Sequence, residues 1–128
     1  MKLILDTHAF LWWITDNPQL SSRARHVIGN PDNELFLSVA SAWEIAIKTR
    51  IGRIRLRERP DRFIPDQLSR NGISPLPIEI SHALHTARLP TIHRDPFDRL
   101  IIAQCVLEKI PIVTRDTIIP RYKVETIW

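Results

Sequence analysis

An α/β fold with a mainly parallel central sheet is what this sequence predicts, and three observations carry that expectation. Short apolar runs of strand length alternate along the 128 residues with stretches whose apolar side chains recur every three or four positions. The first run, Leu3-Ile4-Leu5, is apolar throughout, as a strand buried on both faces must be. Residues that start and stop helices stand at the junctions between the runs. Strands alternating with helices argue for a parallel sheet covered on both faces.

In order, Leu3-Ile4-Leu5 reads as a strand, followed by a helical stretch through Phe10, Leu11 and Ile14. Ser21 or Ser22 is a good N-cap for a second helix that Gly29 ends. Residues 34–37 form the second strand, and Ser38 opens a helix that runs to about Arg50 and stops near Gly52. Residues 60–70 are expected as a helix ended by Asn71-Gly72, with Ile73–Leu76 as a third strand. Residues 78–87 have helical spacing, and 96–109 is the clearest helix of the chain. Residues 110–114 and 124–128 complete the strands. The length suits one hydrophobic core, and no repeat or composition break marks a linker, so a single domain over 1–128 is expected.

Composition excludes several classes. Hydrophobic residues at 44% and charged residues at 25% are ordinary for a globular protein, and no apolar run reaches the roughly 20 residues of a spanning helix. The start, MKLILDTHAF, is broken by an acid after three apolar residues, unlike a secretion signal. One cysteine, Cys105, sits in an apolar helical pattern and reads as a buried thiol. A cytoplasmic protein without membrane contact is expected. The formal charge is +4, and fourteen of the eighteen basic residues are arginine. Lys48, Arg50, Arg53, Arg55, Arg57, Arg59 and Arg62 crowd into fifteen residues, a pattern open equally to a solvated face and to a polyanion contact.

Chemistry enters with the acids. Ligands of open parallel sheets bind at the carboxyl ends of the strands, where the following helices also begin. Asp6 directly follows the first strand and Asp116 follows Ile112-Val113-Thr114. Glu44 lies in the second turn of the helix after the second strand, and Asp98 in the first turn of the helix leading to the fourth. Four acids thus meet at one rim. Glu34 and Glu108 belong to the opposite edge, and Glu79 is the one other acid that could approach the rim. Each acid also has a local reading. Asp95 fits an N-cap ahead of Pro96. Glu44 fits an ion pair with Lys48 on an exposed face as well as an inward tilt with Ala40, Ile47 and Ile51. Asp6 and Asp116 fit ordinary turn acids. Asp98 fits its local role least, since it shares an apolar stripe with Ile101, Ile102 and Cys105.

Clustered carboxylates repel unless cations intervene, and an all-oxygen ligand set without Cys/His spacing favours Mg²⁺ or Mn²⁺. Such ions activate water and stabilise charge on a phosphodiester under attack. Arg99 and Arg115, each adjacent to an acid, are expected to help hold a phosphate backbone. His8 and His93 fall near the rim in a generic polar role, and Ser38 and Ser41 form no Ser-His-Asp pattern. Trp12-Trp13 reads as core plus an interface patch rather than a base-stacking platform.

The segments LILDTHAFLWW, SVASAWEIAIK, HRDPFDRLIIAQ and PIVTRD, with a final YKVETIW, resemble the PIN-domain ribonucleases, and most of all the VapC-type toxins of toxin–antitoxin pairs. The resemblance covers nearly the whole chain in order, and DPFDRLIIAQ is its most specific part. It implies a three-layer α/β/α PIN-like domain, Mg²⁺- or Mn²⁺-dependent endoribonuclease activity on RNA, a VapB-like antitoxin in the groove and a homodimer. By position, Asp6, Asp98 and Asp116 would be the principal metal ligands, with Glu44 completing the site directly or through water. Thr7 and Ser41 match small hydroxyl positions that support the acids, and Asp95 joins them while capping its helix. Lys48, Arg50, Arg99 and Arg115 are candidates for RNA or antitoxin contact. A haloacid-dehalogenase-like phosphatase would need a second Asp where His8 stands, and a receiver domain would need an Asp where Ser74-Pro75-Leu76-Pro77 has none. The remaining rival is a PIN-like module that docks nucleic acid or protein without cutting.

Overall fold

The computed structural model describes all residues, 1–128. Five strands form one sheet in the order β3-β2-β1-β4-β5: β1 (Lys2–Leu5), β2 (Glu34–Ser38), β3 (Ile73–Leu76), β4 (Ile112–Val113) and β5 (Thr126–Ile127). Every pairing is parallel, with Leu5 level with Leu37 and Val113, Ser38 with Leu76, and Val113 with Ile127. The carboxyl ends therefore share one edge. From β1 the chain winds outward through β2 and β3, then crosses to the other side of β1 for β4 and β5. The reversal leaves a crevice between the ends of β1 and β4, the place where such sheets bind ligands.

Helices α1 (Thr7–Ile14), α2 (Ser22–Gly29), α3 (Val39–Arg50), α4 (Pro60–Asn71), α5 (Ile80–His85) and α6 (Pro96–Glu108) cover the sheet. Because strand side chains alternate, Leu3 and Leu5 enter one core with Phe10, Ile28 and Ile64, while Ile4 enters a second with Ile101, Ile102 and Tyr122. This gives the expected three layers. Helix α3 joins both, Ala40 in the second core and Ile45 in the first, and so lies across the carboxyl edge between them.

Most helix signals act as read. Asp6, Ser21, Ser38 and Asp95 each accept a backbone N–H of the first turn, and Gly72 ends α4 with φ 62°, which glycine adopts without strain. Three expectations shift. β4 and β5 are shorter than 110–114 and 124–128; Pro111, which has no N–H for the ladder, stands just before β4. Hydrogen bonds still flank them: Pro111 O accepts from Ile4 N (3.0 Å) and Glu125 O from Ile112 N (3.0 Å). α5 begins two residues later than expected, because the His82 ring accepts the Glu79 N–H (2.9 Å) and fixes the start there. Glu79 is consequently not a rim acid. Its capping partner His82 bonds Glu108 (2.8 Å) at the far end of α6, which places Glu79 towards the opposite edge. Cys105 is buried, and burial pushes its thiol up to about 12, so it is inert at neutral pH.

Ile102 is fully enclosed beneath the groove. Ile102→Ala is expected to cost about 2–5 kcal/mol in urea unfolding, through lost transfer energy and the cavity left behind. A loss below about 1 kcal/mol would mean that the second core is not packed as described.

Candidate functional site

Asp6 ends β1 and caps α1. Its Oδ1 accepts the Ala9 N–H (2.7 Å), and its Oδ2 accepts a short hydrogen bond from the Thr114 hydroxyl. The same Thr114 oxygen accepts the Asp116 N–H (3.1 Å), so one buried threonine ties the end of β1 to the turn after β4. Glu44 is buried beside them. The Thr7 hydroxyl donates to its Oε1 (2.7 Å), which leaves Ser41 to donate to Thr7 (2.9 Å), and Lys48 Nζ pairs with its Oε2. The two readings of Glu44 thus hold together: it tilts inward and still pairs with Lys48. Asp116 is held at both oxygens, by the His93 ring at Oδ2 (2.7 Å) and the Ile118 N–H at Oδ1 (2.8 Å). The Tyr122 hydroxyl meets the other His93 ring nitrogen (2.9 Å) and also accepts the His93 N–H (2.8 Å). All of these bonds are satisfied if Tyr122 donates to Nδ1 and Nε2–H donates to Asp116.

One cavity of about 440 Å³ gathers these acids. Asp6, Glu44, Asp95, Asp98 and Asp116 line it against only Lys48 and Arg115, over an apolar floor of isoleucines. Asp98 differs from the rest, because no hydrogen-bond donor meets its carboxylate. Burial, then repulsion from Asp95 and Glu44, push its carboxyl up to about 6. Burial also raises Asp6, against the hydrogen bonds from Thr114 and Ala9. For Asp116 burial pushes upward as well, but the bonds from His93 and the Ile118 N–H outweigh it and hold the carboxyl below its ordinary range.

The donor set suits a hard cation. Negative charge is in excess, five carboxylates outnumber the single lining histidine, His8, and Asp98 lacks a partner. No three acid or histidine side chains close around a single point. Mg²⁺ keeps several of its own waters, so carboxylates spread around the groove can reach such an ion directly or through water.

Of the residues singled out in the sequence, Asp6, Thr7, Glu44, Lys48, Asp95, Asp98, Arg115 and Asp116 line the cavity, and Ser41 lies directly behind Thr7. Arg50 sits exposed at the end of α3, outside it. Arg99 is a correction. Its two terminal nitrogens donate to the carbonyls of Thr86, Leu89, Pro90 and His93, at 2.6–3.3 Å, so its guanidinium clamps the loop before α6 instead of reaching for phosphate. Arg115 remains at the groove, stacked 4.8 Å over the Trp12 ring. Trp12 is therefore a groove residue, while Trp13 packs on the first core and bonds Asn71 (3.0 Å). The sequence reading missed the Tyr122–His93–Asp116 chain and the Thr114 bridge. The spacing of those residues in the sequence carried no signal for either.

Fold and site together define a class: a parallel α/β domain with an acid-lined groove at its topological switch point. The chain belongs to the PIN-domain family, whose domain matches residues 3–125. It is 37% identical to Ribonuclease VapC16 of Mycobacterium tuberculosis over 73 residues, covering 54% of this chain and 52% of that protein. The match thus spans about half the length of that relative. Among solved structures, VapBC2 from Rickettsia felis bound to a promoter DNA fragment superposes with a TM-score of 0.71 at 15% identity, over 98% of this chain and 97% of that one. FitAcB from Neisseria gonorrhoeae gives 0.63 at 17% identity, over 97% and 95%. At such identities the likeness is one of fold.

A carboxyl whose folded-state pKa is raised weakens the fold as pH rises, because the folded chain must release a proton that it holds more tightly than the unfolded chain does. In EDTA the protein should lose stability from pH 3.8 to about 6 as Asp98 ionises, with Asp6 adding to the trend. Asp98→Asn should therefore melt above wild type at pH 7 without metal, and Mn²⁺ should raise the Tm of wild type more than that of the variant. An Asp98→Asn protein that melts no higher than wild type would mean that burial and repulsion do not penalise the Asp98 carboxylate.

Proposed function

We propose that this chain is an Mg²⁺- or Mn²⁺-dependent endoribonuclease, the toxin of a toxin–antitoxin pair, and that its cognate partner is a VapB-like antitoxin. The observation that carries the reading is the convergence of Asp6, Glu44, Asp98 and Asp116 in one groove at the switch point, with Asp98 left without a donor. Similarity to a ribonuclease over half its length supports the choice of RNA.

A divalent ion bound at the groove supplies Lewis acidity, lowering the pKa of water and offsetting charge on the phosphoryl oxygens. Asp6, Asp98 and Asp116 are its proposed ligands, and Glu44 joins directly or through water. The His93 ring holds Asp116 ionised and oriented. Lys48 and Thr7 fix the position of the Glu44 carboxylate before substrate arrives. Arg115, braced on Trp12, is placed to contact a phosphate beside the acids. Asp95 holds the start of α6, and hence Asp98, in position through the Phe97 and Asp98 N–H groups.

Association as a homodimer is part of the proposal. Exposed Val39, Trp43 and Ile47 on α3, and Ile80 and Leu84 on α5, supply apolar surface for it to bury. No helix is long and apolar enough to cross a membrane, and cytoplasmic action on RNA is the setting proposed.

Purified protein free of antitoxin should cut RNA with Mg²⁺ or Mn²⁺ and stop on addition of EDTA. Asp6→Asn and Asp98→Asn should abolish cutting with unchanged circular dichroism. Expression should arrest growth unless a small neighbouring gene product is co-expressed. Wild type that binds RNA yet leaves it intact with either metal would turn the assignment to a binding module.

A further inference from the structure

The groove poses an electrostatic difficulty for the substrate proposed. Five carboxylates against two cations repel a polyanion, and a metal offsets that only at the phosphate beside it. The flanking phosphates need cations elsewhere, and Arg99 is occupied by backbone carbonyls. The cations lie in the segment from α3 to the first turn of α4. Residues 48–62 hold seven basic and two acidic residues, a formal +5 in a chain whose total is +4, so the other 113 residues together carry −1.

Ion pairs within the chain engage only Lys48 and Arg59 of these seven. Arg53, Arg55 and Arg57 are exposed and make no side-chain hydrogen bond, while the intervening Ile54 and Leu56 pack on the first core. Alternate residues thus turn outward, Arg53, Arg55 and Arg57 to solvent and Ile54 and Leu56 to the core. The row begins at the groove itself. Lys48 lines the cavity, and its carbonyl accepts the N–H groups of Arg53 (2.8 Å) and Ile54 (3.1 Å). Arginine forks also match phosphate oxygens better than the point charge of lysine.

We propose that Arg53, Arg55 and Arg57 form a track for the backbone of single-stranded RNA, leading away from the groove along the loop between α3 and α4. The proposal rests on the ribonuclease reading for its substrate. The track acts on affinity and not on bond cleavage, and it needs no metal.

The test is fluorescence anisotropy of a labelled 20-nucleotide single-stranded RNA in EDTA across a salt series. It compares wild type with Arg53→Gln/Arg55→Gln/Arg57→Gln and with a charge-matched control, Arg23→Gln/Arg88→Gln/Arg121→Gln. The loop variant should bind roughly tenfold or more weakly at 0.1 M salt, with a log–log salt slope shallower by about 2, as expected for three lost contacts. The control should stay near wild type. Equal affinity and slope in the loop variant, equal losses in the control, or a wild type that does not bind RNA at low salt would each overturn the track. The first of these would direct the loop to an acidic protein partner. A wild type that cuts RNA while the loop proves irrelevant refutes the track and spares the nuclease. A wild type that never cuts RNA but needs the loop to bind it does the reverse.

Discussion

Like charges at short range govern this molecule. Five carboxylates share one small cavity, where burial and mutual repulsion both disfavour their ionised forms. The surrounding structure answers most of that repulsion locally. Asp6 is absorbed by a helix cap and Thr114, Glu44 by Lys48 and Thr7, and Asp116 by His93 and a backbone N–H. Asp98 alone has no donor, and burial with its acidic neighbours raises its carboxyl to about 6, while burial raises Asp6 as well despite its hydrogen bonds.

The sheet makes this arrangement possible. A strand order that reverses at β1 opens a crevice, and the turns after β1 and β4 deliver Asp6 and Asp116 to its two sides. α3 and α6 start from the same edge and bring Glu44 and Asp98 over it. Further supports lie outside the groove: Arg99 clamps the loop that carries His93, and Tyr122 orients the His93 ring. Loss of either would be felt at Asp116 without touching substrate.

Local patterns gave the fold in the sequence because helix caps and buried strands are local chemistry. Ser21, Ser38, Asp95 and Gly72 do what their residue types suggest, and the four acids follow from strand order alone. What failed was long-range or depended on a side chain's direction. Glu79 was misplaced because its partner His82 answers to Glu108, 26 residues on. Arg99 looked like a phosphate ligand from its neighbour Asp98, but its fork turns back on the preceding loop. The Tyr122–His93–Asp116 chain links residues 23 and 29 apart, beyond the reach of any periodic signal.

Charge is also divided in space: the acids are concentrated in the groove, and the excess of arginine lies in the loop beside it. That division would suit a polyanion of which one phosphate enters the acidic groove while its neighbours meet the arginines outside. A crystal grown with Mn²⁺ tests the convergence of these acids on a cation directly by anomalous scattering. A peak within the cavity beside Asp98, between Asp6 and Asp116, is expected. No peak there at saturating Mn²⁺, or ordered metal only elsewhere on the surface, would contradict it.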